Sequence, residues 1–283
     1  MRVAASYFVR GQAQNVIALK HQTATEEHIQ LKSTKNLVSA LTSVLFMTIP
    51  TATALAKTDS VMFTATPPVI DGVANDAAWE AGDWHDMTSL MWGTTPEPSD
   101  FSGRYKLRWN ESALYLLAEI QDDHLSDTYA NPLERYWDDD CLEIFIDADA
   151  SGGDHLNNYN AFAYHLALDN QVIDIGPNEA GEAVPLRYND HVENKWQREA
   201  AAPHKIYWEA AVRVFDDSYQ YGKDNSPVTL KDGMTLGFML AYCDADGGDR
   251  EHFLGSHEIT HANGDKNLGY KDASVFGKVK LTK

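Results

Sequence analysis

Between Cys141 and Asp147 the chain runs Cys-Leu-Glu-Ile-Phe-Ile-Asp, and few folds can use such a stretch. In an extended strand successive side chains point to opposite faces. Leu142, Ile144 and Ile146 therefore share one face and Cys141, Glu143 and Phe145 the other. The same period recurs in Tyr105 to Trp109, with Tyr105, Leu107 and Trp109 opposite Lys106 and Arg108. Asn110-Glu111-Ser112 then turns the chain into Leu114 to Ile120, which predicts a hairpin. Further strands are predicted at Phe162 to Leu168, Tyr207 to Val214, Met234 to Tyr242 and Gly277 to Leu281. Asn75 to Asp83 can hold a short helix, and Ala180 to Ala202 reads as a long irregular or weakly paired connection. No βαβ alternation is present, so the expected fold is all-β, an antiparallel two-sheet β-sandwich of immunoglobulin-like or jelly-roll-like type.

Fold reasoning starts after the N-terminal stretch. Lys32 and Lys35 precede an apolar run, Leu37 to Ile49, and Ala54-Leu55-Ala56 supplies a small-x-small cleavage pattern. The run carries Ser and Thr and ends at Pro50, too short for the ~20 apolar residues of a stable membrane span. The expectation is an export signal cleaved after Ala56 and a periplasmic or secreted product. Some thirty polar residues ahead of the charged region are foreign to such signals, so residues 1–30 are expected to come from a misassigned start codon, with translation beginning near Leu31. Residues 57–283 then form one domain, large enough to bury one core.

That domain holds 18 basic against 40 acidic residues, a formal charge of −22. Such a chain repels phosphate backbones and anionic lipid, which argues against nucleic acid and for a neutral ligand or a cation. Cys141 and Cys243 are the only cysteines. A bridge between them and two separate buried thiols are both compatible with the sequence.

On the strand of Phe162 to Leu168, His165 sits between Ala163 and Ala167, on the face opposite Tyr164 and Leu166. Small neighbours beside a polar side chain leave room for a ligand on the sheet. A solvated face with an incidental Glu143 and His165 explains the same pattern, and these residues alone do not choose.

Across the whole domain the order of motifs resembles the family 9 carbohydrate-binding modules. The resemblance lies in Val69-Ile70-Asp71-Gly72 with Trp79, Tyr105 to Trp109 leading to Leu114-Tyr115, Asp122, and Trp137 with Asp139 to Asp147. It continues in Gly237-Phe238, Asp244 to Arg250, and Tyr270-Lys271-Asp272 with Val275-Phe276-Gly277. The resemblance implies a non-catalytic sugar-binding sandwich of the xylanase-associated type, in which two aromatic rings clamp a pyranose and polar groups bond its hydroxyls. Carried over by position, Trp137 and Tyr270 form the clamp, and Asn267, Asp122, Glu143, His165 and Arg250 contact the sugar. Tyr270 and His165 depart from the family pattern, which has Trp and Arg there. The implied ligand is a mono-, oligo- or polysaccharide of xylan or glucan type, with a glycoside hydrolase as the implied partner. No cofactor is required; the resemblance implies structural calcium, without a defined ligand set.

Four rival signals remain. His257-Glu258-Ile259-Thr260-His261 matches a zinc-protease motif, which works only on a helix that puts both histidines on one face. Gly255 and Ser256 before it, Asn263-Gly264 after it and two β-branched residues within it disfavour that helix, and Asn267 stands where the extended motif needs a third ligand. Asp147-x-Asp149-x-Ser151-Gly152 opens like a calcium loop, but Asn158 occupies the position of the bidentate Glu; Asp244 to Asp249 and Asp138 to Asp140 are further acidic turns. A glycosidase needs two carboxyls ~5–10 Å apart, and no flanking pattern singles out a pair. A haem-binding sandwich would use Met and His ligands such as Met91, Met234 or Met239, and nothing in their spacing selects one.

Overall fold

The computed structural model describes residues 58–260 and 263–283. The predicted export signal, its cleavage site and the alternative start lie outside the described residues, as does His261. The strands are β1 (Asp59–Met62), β2 (His85–Asp86), β3 (Ser89–Gly93), β4 (Phe101–Trp109), β5 (Leu114–Asp122), β6 (Cys141–Asp147) and β7 (Phe162–Ala167). They continue as β8 (Val172–Pro177), β9 (Ala183–Arg187), β10 (Val192–Arg198), β11 (Ile206–Val212), β12 (Thr235–Asp244), β13 (His252–Gly255) and β14 (Gly277–Thr282). One helical turn, α1 (Ala77–Glu80), falls inside the predicted stretch.

A nine-stranded sheet runs β1-β14-β12-β6-β7-β8-β9, with β13 added to β12 and β3 to β13; the second sheet runs β10-β11-β5-β4-β2. Their facing surfaces make the main core, Tyr105, Leu107, Trp109, Leu116 and Trp208 from one sheet meeting Leu142, Ile144, Ile146, Phe238 and Leu240 from the other. The predicted alternation of β4 and β6 is thus realised. Each large apolar side chain removed from water contributes about 1.5–3 kcal/mol.

One expectation needs correction. Ala180 to Ala202 is not weakly paired: β10 pairs with β11 from Val192↔Val212 to Arg198↔Ile206, and β9 closes the edge beside β8. The sandwich is antiparallel as expected, save that edge strand β1 runs parallel to β14. The outward face of β6 is covered. Cys141 and Phe145 join Met239, Ala241, Cys243, Phe253, Ile259 and Leu268 in a second apolar cluster, so Glu143 is covered rather than solvated.

The outer face of the other sheet is covered by the segment around α1, with Trp79 packed on Tyr115 and Leu117. Buried Glu209 of β11 fastens it, accepting from Trp79 Nε1 at 2.7 Å and from the Asp71 and Gly72 amides at 3.0 and 2.9 Å. Gly72 has φ +80°, and a Cβ there would lie 2.7 Å from the Trp196 backbone, so this turn requires glycine.

Candidate functional site

β6 and β7 are neighbours in a register that sets Glu143 directly opposite His165. Both side chains lie on the outer face, as the strand period requires. His165 Nε2 is 2.9 Å from Glu143 Oε1, and the ring's Nδ1 is 3.2 Å from the Ala163 carbonyl oxygen. The Cys243 thiol donates to the same Glu143 Oε1 at 2.9 Å, and Arg250 Nη1 stands 3.9 Å away. Glu143 is only 2% exposed. Burial would push its carboxyl up, but His165, Arg250 and the Cys243 thiol together outweigh this and hold it below the ordinary carboxylate range.

Arg250 is fixed from both sides. Its guanidinium lies 4.4 Å from the centre of the Phe253 ring and donates from Nη1 to Cys243 Sγ at 3.3 Å. Its Nε is buried and has no hydrogen-bond partner among the described residues. An unsatisfied buried donor costs about 1–3 kcal/mol.

Above these groups opens a cavity of about 300 Å³, lined by Tyr136, Trp137, Glu143, His165, Ile175, Arg250, Asn267 and Tyr270. Six of the seven residues singled out in the sequence meet here. Trp137 is 39% exposed, and Tyr136 buttresses it edge-on at 5.0 Å while packing against His165 at 4.6 Å. Asn267 and Tyr270 arrive from the loop before β14, far away in sequence. Tyr136 and Ile175 were not foreseen. The first sits beside the clamp tryptophan, and the second lies on β8, a strand that the sequence left unassigned.

Asp122 is the exception. It is absent from the cavity lining; its carboxylate is buried, accepting from Tyr242 Oη at 2.8 Å and the His124 amide at 2.9 Å. It ends β5, in the opposite sheet from Glu143, so shared chain order did not translate into a shared site.

The thiols of Cys141 and Cys243 are free and directly opposed on β6 and β12, and burial pushes both up. Around the protease-like motif, residues 256–260 form no helix, and the His257 ring packs against Gly277, within bonding distance of Ser256 Oγ at 2.9 Å. That geometry removes the platform on which zinc ligation depends. Met91 and Met239, considered as haem ligands, are buried in the apolar cluster behind Glu143.

The acidic turns differ in what they offer a cation. In the 147–152 loop, Asp147 accepts from the Asp149 and Gly152 amides and Asp149 from Ser151, an ordinary self-capped turn. Asp122, Asp140 and Asp244, by contrast, are all buried with carboxylate oxygens within 4.8 Å of one another, and Asp244 Oδ2 has no hydrogen-bond partner among the described residues. This second set fits a hard cation.

A two-layer sandwich whose outer face carries an aromatic-walled cavity floored by an acid, an imidazole and a guanidinium defines a small-ligand binding module. The family model for carbohydrate family 9 binding domain-like proteins matches residues 70–283, and the chain belongs to that family. It is therefore a carbohydrate-binding module, not an enzyme. Among curated proteins it is similar to endo-1,4-beta-xylanase A of Thermotoga neapolitana, 32% identical over 219 residues, which are 76% of this chain and 17% of that protein. It is also similar to exoglucanase XynX of Acetivibrio thermocellus, 23% identical over 218 residues, 76% of this chain and 16% of that protein. The chain thus spans about a sixth of the length of these relatives. Among solved structures it is similar to a family 9 carbohydrate-binding module from Caldicellulosiruptor kristjanssonii in complex with cellotriose, with TM-score 0.56 and 20% identity, covering 80% of this chain and 94% of that one. The same module in complex with glucose gives TM-score 0.55 at 20% identity, over 79% and 96% of the chains. At that identity the structures establish the shared fold.

Proposed function

We propose that the cavity bounded by Trp137 and Tyr270 captures one pyranose ring of a xylan- or glucan-type glycan. The observation that carries this reading is the union, in one recess, of two aromatic side chains with a buried Glu143–His165–Arg250 network that holds an unsatisfied donor. A pyranose has apolar C–H faces for the rings and a hydroxyl rim for the polar groups. Glu143 accepts from one hydroxyl, the Arg250 guanidinium donates to another, and His165 and Asn267 complete the rim. The strongly acidic surface suits an uncharged saccharide. The chain works outside the cytoplasm alongside a glycoside hydrolase, a reading supported by the kinds of enzyme in which its relatives occur.

Calorimetric titration with glucose, xylose, cellobiose and xylobiose tests the assignment. Saturable binding of at least one of them, weakened about 10- to 70-fold in Trp137→Ala, is expected. Flat titrations for all four, with folded protein in the cell, count against it.

A further inference from the structure

The chain has seven tryptophans, and the fold accounts for five of them. Trp79, Trp109, Trp196 and Trp208 donate their indole N–H groups to Glu209, the Thr282 carbonyl, the Leu168 carbonyl and Asn194. Trp84 lies against two cations, with the Arg104 guanidinium 4.3 Å and the Lys106 ammonium 4.9 Å from its ring centre. The two that remain are Trp137, at the cavity, and Trp92, which is 54% exposed. Trp92 has no ring, cation or hydrogen-bond partner among the described residues.

Trp92 shares the cavity's face of the molecule. It lies on β3 directly opposite Phe253 of β13, so both side chains leave the same side of the sheet. That side is the outer one, since Phe253 stands opposite Cys243 of β12 and packs with Cys141 and Phe145. Arg250, which walls the cavity, rests on the Phe253 ring at 4.4 Å. The sequence across the face is therefore cavity, Arg250, Phe253, Trp92. β6, β12, β13 and β3 are successive neighbours, and three strand spacings put Trp92 about 14 Å from the strand that carries Glu143.

The backbone fixes where the ring stands. The register slips between Phe253 and Leu254, a bulge that lets Met91 sink into the apolar cluster while Trp92 beside it stays outside. Gly93 follows with φ +78°, and a Cβ there would lie 1.8 Å from the Glu251 carbonyl oxygen, so β3 closes on β13 only with glycine at this position.

We propose that Trp92 is a second sugar platform, on which a further ring of the same glycan stacks once its first ring occupies the cavity. The inference rests on the reading of the cavity as a pyranose site and extends its ligand from a single ring to a chain. A bare indole offers a face to the apolar C–H side of a pyranose and an N–H to its hydroxyls. A disaccharide held in the cavity is too short to cross three strands, whereas a longer chain reaches Trp92. The acidic domain favours a neutral polymer over a charged one. Stacking covers one face of the ring, about 40–70 Å², which corresponds to about 5- to 20-fold in Kd.

The test is calorimetry of the full chain with the disaccharide and the hexasaccharide of one series, cellobiose with cellohexaose and xylobiose with xylohexaose. The parent should bind the hexasaccharide about 5- to 20-fold more tightly than the disaccharide. In Trp92→Ala that gain should vanish, while Met62→Ala, which strips a comparably exposed side chain from β1, should keep it. If Trp92→Ala does not fold, Trp92→Thr, a residue suited to an exposed strand, takes its place. A parent that binds the disaccharide with no gain for the longer chain overturns the platform and leaves the cavity reading standing. A gain that survives the loss of the indole overturns it too, as does self-association of the parent that Trp92→Ala abolishes with the gain intact, which would assign the ring to a contact between copies. Flat titrations at every length bring down both readings together.

Discussion

Replacing Trp137 by Ala separates ligand capture from folding. The side chain keeps 39% of its surface exposed in the free protein. Against the roughly 150–250 Å² that an aromatic side chain buries in full contact, about 60–100 Å² remains for a sugar to cover. At about 25 cal/mol per Å² this amounts to about 1.5–2.5 kcal/mol, a loss of about 10- to 70-fold in Kd. By the same measure the part of the ring that the fold itself buries, about 90–150 Å², contributes about 2–4 kcal/mol to stability. The one ring contact given up is the edge-on pairing with Tyr136 at 5.0 Å, worth about 0.5–1.5 kcal/mol. The thermal midpoint should therefore fall by about 5–20 °C, to a state that still melts cooperatively. Calorimetry with the best-bound saccharide, run beside a thermal melt, reads both quantities. An unchanged Kd refutes the stacking role, and weakened binding accompanied by a collapse of the melt refutes the separation of ligand capture from folding.

Other consequences follow from buried polar groups. Glu209→Ala strands three donors, the Trp79 indole and the amides of Asp71 and Gly72. At about 1–3 kcal/mol each, urea denaturation should show a loss of about 3–9 kcal/mol; a loss under 1 kcal/mol would show that the segment around α1 is not fastened there. Burial lowers His191 to about 4, the ring being stacked on Phe215 at 4.0 Å with Nδ1 2.7 Å from Tyr164 Oη. A histidine held neutral in the fold adds stability above its unfolded pKa near 6.5, and this is lost as pH falls from there through 4. The loss should reach about 3 kcal/mol and should be largely missing from His191→Phe; equal pH profiles for the two proteins would contradict this origin. The buried thiols of Cys141 and Cys243 should resist a disulfide reagent in the native protein and react fully once unfolded, and rapid native labelling would contradict their burial.

The alternation in β4 and β6 was legible because each strand buries one strongly apolar face, and a slip of one residue would invert it. β10 was not legible. Val-Glu-Asn-Lys-Trp-Gln-Arg is largely polar, and its place comes from pairing with β11 rather than from its own composition. Most of the pocket could be named in advance because Glu143 and His165 sit on strands whose period fixes their direction. Asp122 could not be placed that way. It stands at a strand end, where the chain leaves the sheet and the choice between pocket and interior depends on partners such as Tyr242, 120 residues away. The burial of Glu209 was equally hidden, since a carboxylate sinks below a surface only where donors from another segment await it.

A crystal structure of the chain soaked with the disaccharide that binds best in calorimetry tests the central claim most directly. The account predicts one pyranose ring between Trp137 and Tyr270, with hydroxyl oxygens at hydrogen-bond distance from Glu143 and from the Arg250 guanidinium. Density for the sugar elsewhere on the sandwich, with this recess filled only by water, would contradict it.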